Sequence, residues 1–388
     1  MNVHIHWIEL IPQSPIHIGE QKPNFRFLPT KEVIPGSVLR GALAEYLIAS
    51  GRESEILDVV KDMKFGFLYP TDSASNLPLP IPKTALTCKS NNGFKPKGHG
   101  VFDSLLAYIA YTELKGEYNA EFPVPLAFKC LKCGDRSDKI SGFYVKEKRV
   151  YKKVEVKRVT QTKVAINRMR KTAEKEMLYS ITAVKPEIVY VGKVIAPRDK
   201  FELLIEAINE MGIGALTTRG YGKTRADEIE DVDAKLESTS IRFELFNEEL
   251  KKAWEQIRSI AINKDELPEE PEYRYFSIDV MSPLIIRENL IPTLRLKVKL
   301  DEKVLDPILY FASPTFIGGW STAWGLPKDT TYAADIGSTY VFRVEDEDSG
   351  KLYDLFRQIE VEGLGEKRDE GYGEVLACHP FHREVFPV

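Results

Sequence analysis

The feature that most constrains the fold of this chain is an internal repeat of a glycine-rich loop. Residues 212–226 read GIGALTTRGYGKTRA, and residues 363–377 read GLGEKRDEGYGEVLA. In both, two glycines flank one apolar residue, and Gly-Tyr-Gly follows after five further residues. An amphipathic helical pattern precedes each loop and a strand-like segment follows it. Two such copies, 151 residues apart, predict a duplicated domain.

The beginnings of the two halves agree with a duplication. Residues 3–11 and 273–281 both have the apolar pattern of a strand, and a helical pattern follows the first of them. Strand, helix, strands, helix, loop and strand is the element order of a ferredoxin-like α+β domain. We therefore predict two ferredoxin-like domains in tandem, residues 1–235 and 236–388, with a long insertion at about 66–190 in the first.

The formal net charge of −4 hides an uneven distribution. Residues 1–235 contain 36 Lys and Arg against 29 Asp and Glu, whereas residues 236–388 contain 18 against 29. A basic half and an acidic half indicate two kinds of partner, a polyanion and a basic protein surface. Chance variation in charge along the chain is the alternative.

Several classes of protein are excluded. No apolar run approaches the ~18 residues of a membrane-spanning helix. The N-terminus, MNVHIHW, lacks the basic region and apolar core of a signal peptide, so we expect a cytoplasmic protein. Four cysteines are too few for a disulfide scaffold of this length. Gly222-Lys223-Thr224 resembles the end of a phosphate-binding loop, but Thr217 stands where that motif requires glycine.

The strongest charge cluster is a basic run from residue 144 to residue 175. It contains twelve Lys and Arg residues, and valines alternate with charges in its first part. This pattern predicts an extended ribbon that offers a charged face to nucleic-acid phosphates. A solvated hairpin without a ligand is the alternative.

The glycine loops are candidate ligand sites. Glycines allow backbone N–H groups to approach a phosphate closely. Positive charge lies beside the loops at Arg219, Lys223, Lys367 and Arg368. Tyr221 and Tyr372 are candidates for stacking on a base. The alternative is that each loop is only a tight turn between a helix and a strand.

Residues 130–134, CLKCG, form a Cys-x2-Cys-Gly knuckle, and Cys88 and His99 lie upstream in the same insertion. Together with Cys130 and Cys133 they would form a tetrahedral Cys3His site for structural zinc, which would stabilise a segment with little core of its own. Two buried reduced cysteines are the main alternative. A redox role requires a thioredoxin-like setting, which the sequence lacks.

Three histidines near the start of the chain, His4, His6 and His17, are candidates for acid–base chemistry on RNA. General acid–base catalysis needs a second positioned group, and spacing identifies none here. We therefore expect these histidines to be surface or core residues.

Residues 34–43, IPGSVLRGAL, resemble the first-helix signature of the CRISPR-associated RAMP superfamily, and the two glycine loops resemble its C-terminal loop. Further segments narrow the resemblance to the two-domain RAMP subunit of type III-D effector complexes: 87–89, 99–103, 130–133, 162–174, 177–180 and 365–373. Glu374 departs from the pattern, because the first loop has Lys223 at the corresponding position. An equal RNA-binding role for the second loop is therefore in doubt.

The resemblance implies a non-catalytic subunit that binds the repeat-derived 5′ tag of the guide RNA and caps the backbone. It implies contacts with the large polymerase-like subunit and with backbone RAMP subunits, and a thumb-like element within the basic run. The charge pattern and the resemblance together predict an RNA-binding set: Arg40, Lys163, Asn167, Arg168, Arg170, Lys171, Arg219, Tyr221, Lys223, Lys367, Arg368 and Tyr372.

Three alternatives stay open. A guide-processing RAMP ribonuclease would use one of the histidines. A target-cleaving backbone subunit would use an aspartate such as Asp103 or Asp135 with a divalent metal ion. A zinc-stabilised protein-interaction module would bind no RNA.

Overall fold

The structure is a computed structural model that describes residues 4–20, 27–148, 150–167, 169–230, 232, 235–321 and 325–385. Helices and antiparallel strands both contribute to its two main cores, so the mixed α+β class is confirmed. No helix within these ranges has the length and apolar character needed to cross a membrane.

The first half is built on a four-stranded antiparallel sheet. Its framework elements are β1 (His4–Pro12), α1 (Gly36–Ala49), α2 (Ile56–Val60) and β3 (Lys64–Thr71), with the two-residue strand β2 (Phe27–Leu28) after β1. Far along the chain follow β12 (Val189–Ala196), α4 (Arg198–Met211) and β13 (Thr224–Ile229). The sheet order is β13-β1-β12-β3, which are the fourth, first, third and second framework strands. Helices α1 and α4 pack against each other and contribute Leu39, Leu43 and Leu204 to the core.

The second half repeats this sheet, but no helix lies between its first two framework strands in the described residues 281–308. Its elements are α5 (Thr239–Ser259), β14 (Arg274–Val280), β15 (Ile286–Glu288), β16 (Ile291–Thr293), β17 (Val298–Leu300), β18 (Lys303–Leu305), β19 (Leu309–Phe311), β20 (Pro314–Ser321), β21 (Leu326–Ala334), β22 (Thr339–Val344), α6 (Ser349–Glu362), β23 (Val375–Ala377) and α7 (Phe381–Glu384). The sheet order β19-β22-β14-β23 again joins second, third, first and fourth framework strands. Two small hairpins follow β14, namely β15–β16 and β17–β18. The alternation of apolar and polar residues at 294–300 ends in β17, the first strand of the second hairpin. Helix α5, which precedes β14, packs Phe243, Phe246 and Leu250 into the second core.

The insertion lies between β3 and β12 and therefore spans residues 72–188. The predicted range 66–190 was a few residues too wide, because both of its ends belong to strands of the first sheet. Its elements are β4 (Leu79–Pro80), β5 (Ala85–Cys88), β6 (Val101–Asp103), α3 (Leu105–Gly116), β7 (Ser137–Lys139), β8 (Phe143–Glu147), β9 (Val150–Lys153), β10 (Arg158–Asn167) and β11 (Thr172–Val184).

Much of the insertion packs on the second half of the chain. Helix α3 lies against α5, and its residues Leu105, Leu106 and Ile109 belong to the second core. The Tyr275 hydroxyl donates a 2.7 Å hydrogen bond to Glu113, which also accepts one of 3.0 Å from Arg343. The two halves are therefore joined through a buried interface.

Candidate nucleic-acid interface and metal centre

The basic run is divided between two hairpins: its first part belongs to β8–β9, and its second part forms the long antiparallel hairpin β10–β11 in a separate sheet. The register pairs Lys163 with Tyr179 and Gln161 with Ile181, and a bulge lies between Val164 and Ile166. The side chains of Lys163, Arg170 and Lys171 are exposed, the last two at the turn. Of the other predicted residues, Arg168 and the side chain of Asn167 lie outside the described part of the structure. The sequence predicted one extended ribbon for the run, whereas the structure contains two hairpins, both of extended strands.

The two glycine loops have matching backbones. Five corresponding positions have φ between +56° and +90° in both copies: Gly212 and Gly363, Gly214 and Gly365, Leu216 and Lys367, Gly220 and Gly371, Gly222 and Gly373. Several of these positions also require glycine for space. A Cβ on Gly222, for example, would lie 2.2 Å from the Ile213 carbonyl oxygen. The repeat is thus a repeat of backbone geometry as well as of sequence.

The first glycine loop forms hydrogen bonds with the middle of the hairpin. Arg219 Nη1 donates a 2.9 Å hydrogen bond to the Tyr179 hydroxyl, and the Tyr221 hydroxyl donates one of 2.7 Å to Gln161. Because Lys163 pairs with Tyr179 across the hairpin, Arg219 and Lys163 flank the same tyrosine. Lys223 is exposed on the same loop. The loop and the hairpin thus form one connected surface, which we call the hairpin surface: Lys163, Arg170, Lys171, Arg219 and Lys223.

The second loop lies against the first half of the chain. Arg40 on α1 donates hydrogen bonds to Asp369 (3.3 Å) and Glu370 (3.2 Å) of this loop. A Cβ on Gly371 would lie 2.4 Å from the Phe65 carbonyl oxygen, so this glycine allows the loop to seat on β3. The prediction had grouped Arg40 with the RNA-binding residues, whereas its guanidinium contacts the second loop instead.

Three further members of the predicted RNA-binding set, Lys367, Arg368 and Tyr372, lie on the second loop and do not belong to the hairpin surface. Lys367 and Arg368 are exposed, and Arg368 Nη1 lies 3.7 Å from Glu362. The Tyr69 hydroxyl donates a 2.5 Å hydrogen bond to Glu374, the residue that departs from the repeat. The two loops therefore have different neighbours.

The loop tyrosines, for which the sequence predicts base stacking, are both buried in this structure. Tyr221 is 6% exposed and Tyr372 is 4% exposed. The Tyr372 ring packs edge-on against Phe67, with centroids 5.2 Å apart. With both ring faces covered, these tyrosines hold their loops in place and present no free face to a base.

The predicted metal ligands do come together. One ligand atom from each of Cys88, His99, Cys130 and Cys133 lies within 4.8 Å of the others. Cys88 Sγ is 3.6 Å from Cys133 Sγ, and Cys130 Sγ is 3.6 Å from His99 Nδ1. Zn–S bonds of ~2.3 Å and Zn–N bonds of ~2.0 Å at tetrahedral angles require ligand separations of roughly 3.5–3.8 Å. The donor set and its spacing fit zinc.

Hydrogen bonds within the knuckle favour the thiolate form of Cys130, which is the form that binds a metal ion. The Gly134 N–H donates a 2.8 Å hydrogen bond to the Cys130 carbonyl, closing the knuckle, and Gly134 has a φ of +73°. Burial raises the pKa of the Cys130 thiol, but hydrogen bonds from the backbone N–H groups of Cys133 and Lys132 outweigh burial and lower the pKa to about 6. A thiolate is the form that binds a metal ion.

The candidate catalytic histidines do not form an exposed site. His6 is buried, stacks on Phe201 with centroids 4.2 Å apart, and has its Nδ1 2.9 Å from Glu228. His17 is buried with its Nδ1 2.8 Å from the Thr182 carbonyl oxygen. His4 is exposed. The two buried rings occupy structural positions, as expected from the sequence.

Sequence reasoning missed a buried ionic cluster of Asp103, Asp279 and His382. His382 Nδ1 contacts Asp103, and its Nε2 lies 2.9 Å from Asp279 Oδ1. The cluster joins the insertion, the second sheet and the last helix. Asp103, a candidate for metal-dependent cleavage, is fully buried here, and Asp135, the other candidate, accepts a hydrogen bond from Ser90. The three clustered residues are too far apart in sequence for any spacing rule to link them.

A family model described as the RAMP superfamily matches residues 9–225, more than half of the chain. No curated protein matches the sequence at a significant level. Among solved structures, a chain of the type III-B Cmr-beta complex bound to cognate target RNA is 12% identical, with a TM-score of 0.43 over 95% of this chain and 96% of that one. A chain of the Csm3-Csm4 subcomplex of the type III-A CRISPR-Cas interference complex is 13% identical, with a TM-score of 0.37 over 86% and 92%.

Proposed function

The chain belongs to the RAMP superfamily, and from this premise we propose that it is a guide-RNA-binding subunit of a type III CRISPR effector complex. The observation that carries the proposal is the hairpin surface. It combines a long hairpin with a cluster of exposed cations, and the first glycine loop forms hydrogen bonds with the middle of that hairpin.

The chemistry of the hairpin surface suits single-stranded RNA. Neither Lys163 nor Lys171 forms an ion pair within the described part of the chain, so both are available to phosphates. Apolar side chains that are largely exposed, Ile166, Met169 and Leu178, lie on the same hairpin and suit contact with unstacked bases. Phosphate contacts would provide affinity, and the apolar contacts would favour single strands over a duplex.

The finer parts of the proposal follow from the resemblance to type III-D subunits. We propose that the RNA segment bound is the repeat-derived 5′ tag, that the chain caps the backbone without cutting RNA, and that it acts in the cytoplasm. Its partners would be the large polymerase-like subunit and backbone RAMP subunits. The acidic second half, with 29 Asp and Glu against 18 Lys and Arg, suits a protein interface better than an RNA groove.

We also propose that each half is a ferredoxin-like domain. Both sheets place the fourth, first, third and second strands side by side, which supports this assignment. The second domain would be a variant in which α5, coming before the first strand, covers part of the sheet in place of a helix after it.

The Cys3His cluster would hold a structural zinc ion through Cys88, His99, Cys130 and Cys133. The ion would fix the two segments that carry these ligands, 88–99 and 130–133, to each other. All four positions are filled by protein ligands, which is typical of structural and not of catalytic zinc sites.

The test is a salt-titrated binding assay with a tagged guide RNA, a scrambled RNA and duplex DNA. The variant Lys163→Glu/Arg170→Glu/Lys171→Glu should weaken binding of the tagged RNA at least tenfold. The slope of log affinity against log salt concentration should become shallower by about two units, since each of the three lost phosphate contacts removes roughly 0.7. The control Lys251→Glu/Lys252→Glu/Lys264→Glu makes the same change in net charge on the second half and should bind normally. Equal binding by both variants would refute the proposal, and cut RNA on a denaturing gel would indicate a ribonuclease.

A further inference from the structure

A second concentration of positive charge surrounds the Cys3His cluster. The two segments that carry the ligands, 88–99 and 129–139, contain seven basic residues, all exposed: Lys89, Lys95, Lys97, Lys129, Lys132, Arg136 and Lys139. The only acidic residues in these segments are Asp135 and Asp138. We call this region the knuckle surface. It is separate from the hairpin surface in sequence, and no residue of it belongs to the RNA-binding set proposed above.

The fold brings these cations onto one small structure. The Lys89 N–H donates a 3.0 Å hydrogen bond to the Arg136 carbonyl, and Lys129 pairs with Arg136 across a β-bridge. Strand β5 pairs with β7, which places Leu86 opposite Lys139. The Cys3His cluster joins the same two segments at the other side. Strand and bridge pairing thus positions Lys129, Arg136 and Lys139, whereas Lys89, Lys95, Lys97 and Lys132 lie in the turns that connect them to the ligand cluster.

These cations have few acidic neighbours. Within the described residues, Lys97 is the one member of the seven that forms an ion pair, a 3.4 Å contact with Glu155 in which both side chains are largely exposed. By contrast, basic residues of the second half are commonly paired, as Lys297 is with Glu288 and Lys303 with Asp348. Asp135 offsets part of the positive charge of Lys89 and Arg136. The remaining like charges repel one another, and a bound polyanion would relieve that repulsion.

We propose that the knuckle surface is a second RNA-binding site, which holds the phosphate backbone of RNA that extends beyond the hairpin surface. This inference rests on the proposed function, since it extends the same RNA over a new surface. The nearness of the knuckle surface to the hairpin, which is the proposed RNA site, favours RNA over an acidic protein as its ligand. The Phe94 ring stacks beside Tyr151 of β9, with centroids 6.1 Å apart. Lys95, the next residue, therefore lies near β9. This strand exposes Lys153 and is followed in the chain by β10 of the hairpin. Leu131, 70% exposed between two of the ligands, offers an apolar contact to a base.

The experiment compares two RNAs, one short enough to occupy a single surface and one several times longer. The variant Lys95→Glu/Arg136→Glu/Lys139→Glu changes no metal ligand and no residue adjacent to one. It should bind the short RNA as the wild type does but lose at least tenfold in affinity for the long RNA. The salt dependence for the long RNA should become shallower by about two units of slope, since each lost contact removes roughly 0.7. The control is again Lys251→Glu/Lys252→Glu/Lys264→Glu.

Photo-crosslinking gives an independent readout on the wild-type protein. Crosslinks to the long RNA should appear in peptides from 88–99 and 129–139, and the short RNA should crosslink to the hairpin. Unchanged affinity of the knuckle variant for the long RNA would overturn the proposal. If that variant instead lost a neighbouring subunit during co-purification, the surface would belong to a protein partner. Absence of binding by the wild type to either RNA would refute the proposed function itself.

Discussion

Replacing His382 tests how strongly the insertion and the last helix are held to the second half. Burial by itself lowers the pKa of His382, but the charges of Asp279 and Asp103 outweigh burial and raise the pKa to about 10. The imidazolium therefore donates to both carboxylates at neutral pH. The substitution His382→Asn removes the positive charge and leaves two buried carboxylates facing each other. Breaking a buried ion network in this way costs about 3–5 kcal/mol.

The sign of the pH dependence follows from the raised pKa. A histidine has an unfolded-state pKa of about 6.5, so the contribution of His382 is fully present below that pH. It is lost progressively as pH rises from about 6.5 towards 10, when the folded protein gives up the proton. We expect wild-type stability to fall over this range, and we expect the slope to disappear in His382→Asn.

The assay is thermal unfolding of both proteins at several pH values between 6 and 10. For a chain of this length, 3–5 kcal/mol corresponds to a Tm shift of roughly 4–6 °C. His17→Asn is the matched control, because His17 is equally buried but donates to a backbone carbonyl. It should lower Tm without removing the alkaline slope. A flat wild-type profile, or a loss of less than about 1 °C in His382→Asn at pH 7, would refute the reasoning.

Three further predictions follow from the packing and the metal cluster. Zinc analysis of the purified protein should find close to one ion per chain. The substitution Cys130→Ser should abolish zinc binding and lower Tm. A wild-type protein that contains no metal and has unchanged stability would contradict the proposed zinc site. Gly371→Ala should destabilise the protein by more than Gly220→Ala, because both have left-handed φ but only Gly371 has the Phe65 carbonyl within 2.4 Å of the new Cβ. Equal Tm values would show that the second loop is not seated on the first half. Leu106→Ala should cost about 2–5 kcal/mol in urea unfolding, since the side chain is fully buried in the second core, and a neutral effect would mean that the insertion is not docked there.

The parts of the fold that were predictable are those encoded by local pattern. The apolar periodicities, the two glycine loops and the basic ribbon each depend on residues within a short stretch, so the sequence indicated them directly. The metal cluster was also predictable, because few residue types bind zinc and the Cys-x2-Cys-Gly spacing of Cys130 and Cys133 is specific. The resemblance to the RAMP superfamily was confirmed by the match over residues 9–225.

The contacts that could not be predicted are those between distant residues. Arg40 belongs to the predicted RNA-binding set, and its partners in the structure, Asp369 and Glu370, are more than 300 residues away in sequence. The burial of Tyr221 and Tyr372 was not predictable, because a glycine loop does not reveal which element will cover its tyrosine. The second half was expected to repeat the first helix, but its own alternating pattern after β14 forms hairpins.

The sequence by itself determined that the chain has two related halves, that both carry the same loop backbone, and that four residues in the insertion suit one metal ion. Only the tertiary structure decided which loop supports the hairpin and which one joins the two halves. Glycine spacing and φ are local properties, and they are the same in both copies. What differs is the part of the chain that each loop contacts, and this depends on how the sheets and the insertion are placed in space. Gly220 has open space beside it, whereas Gly371 contacts the backbone of β3.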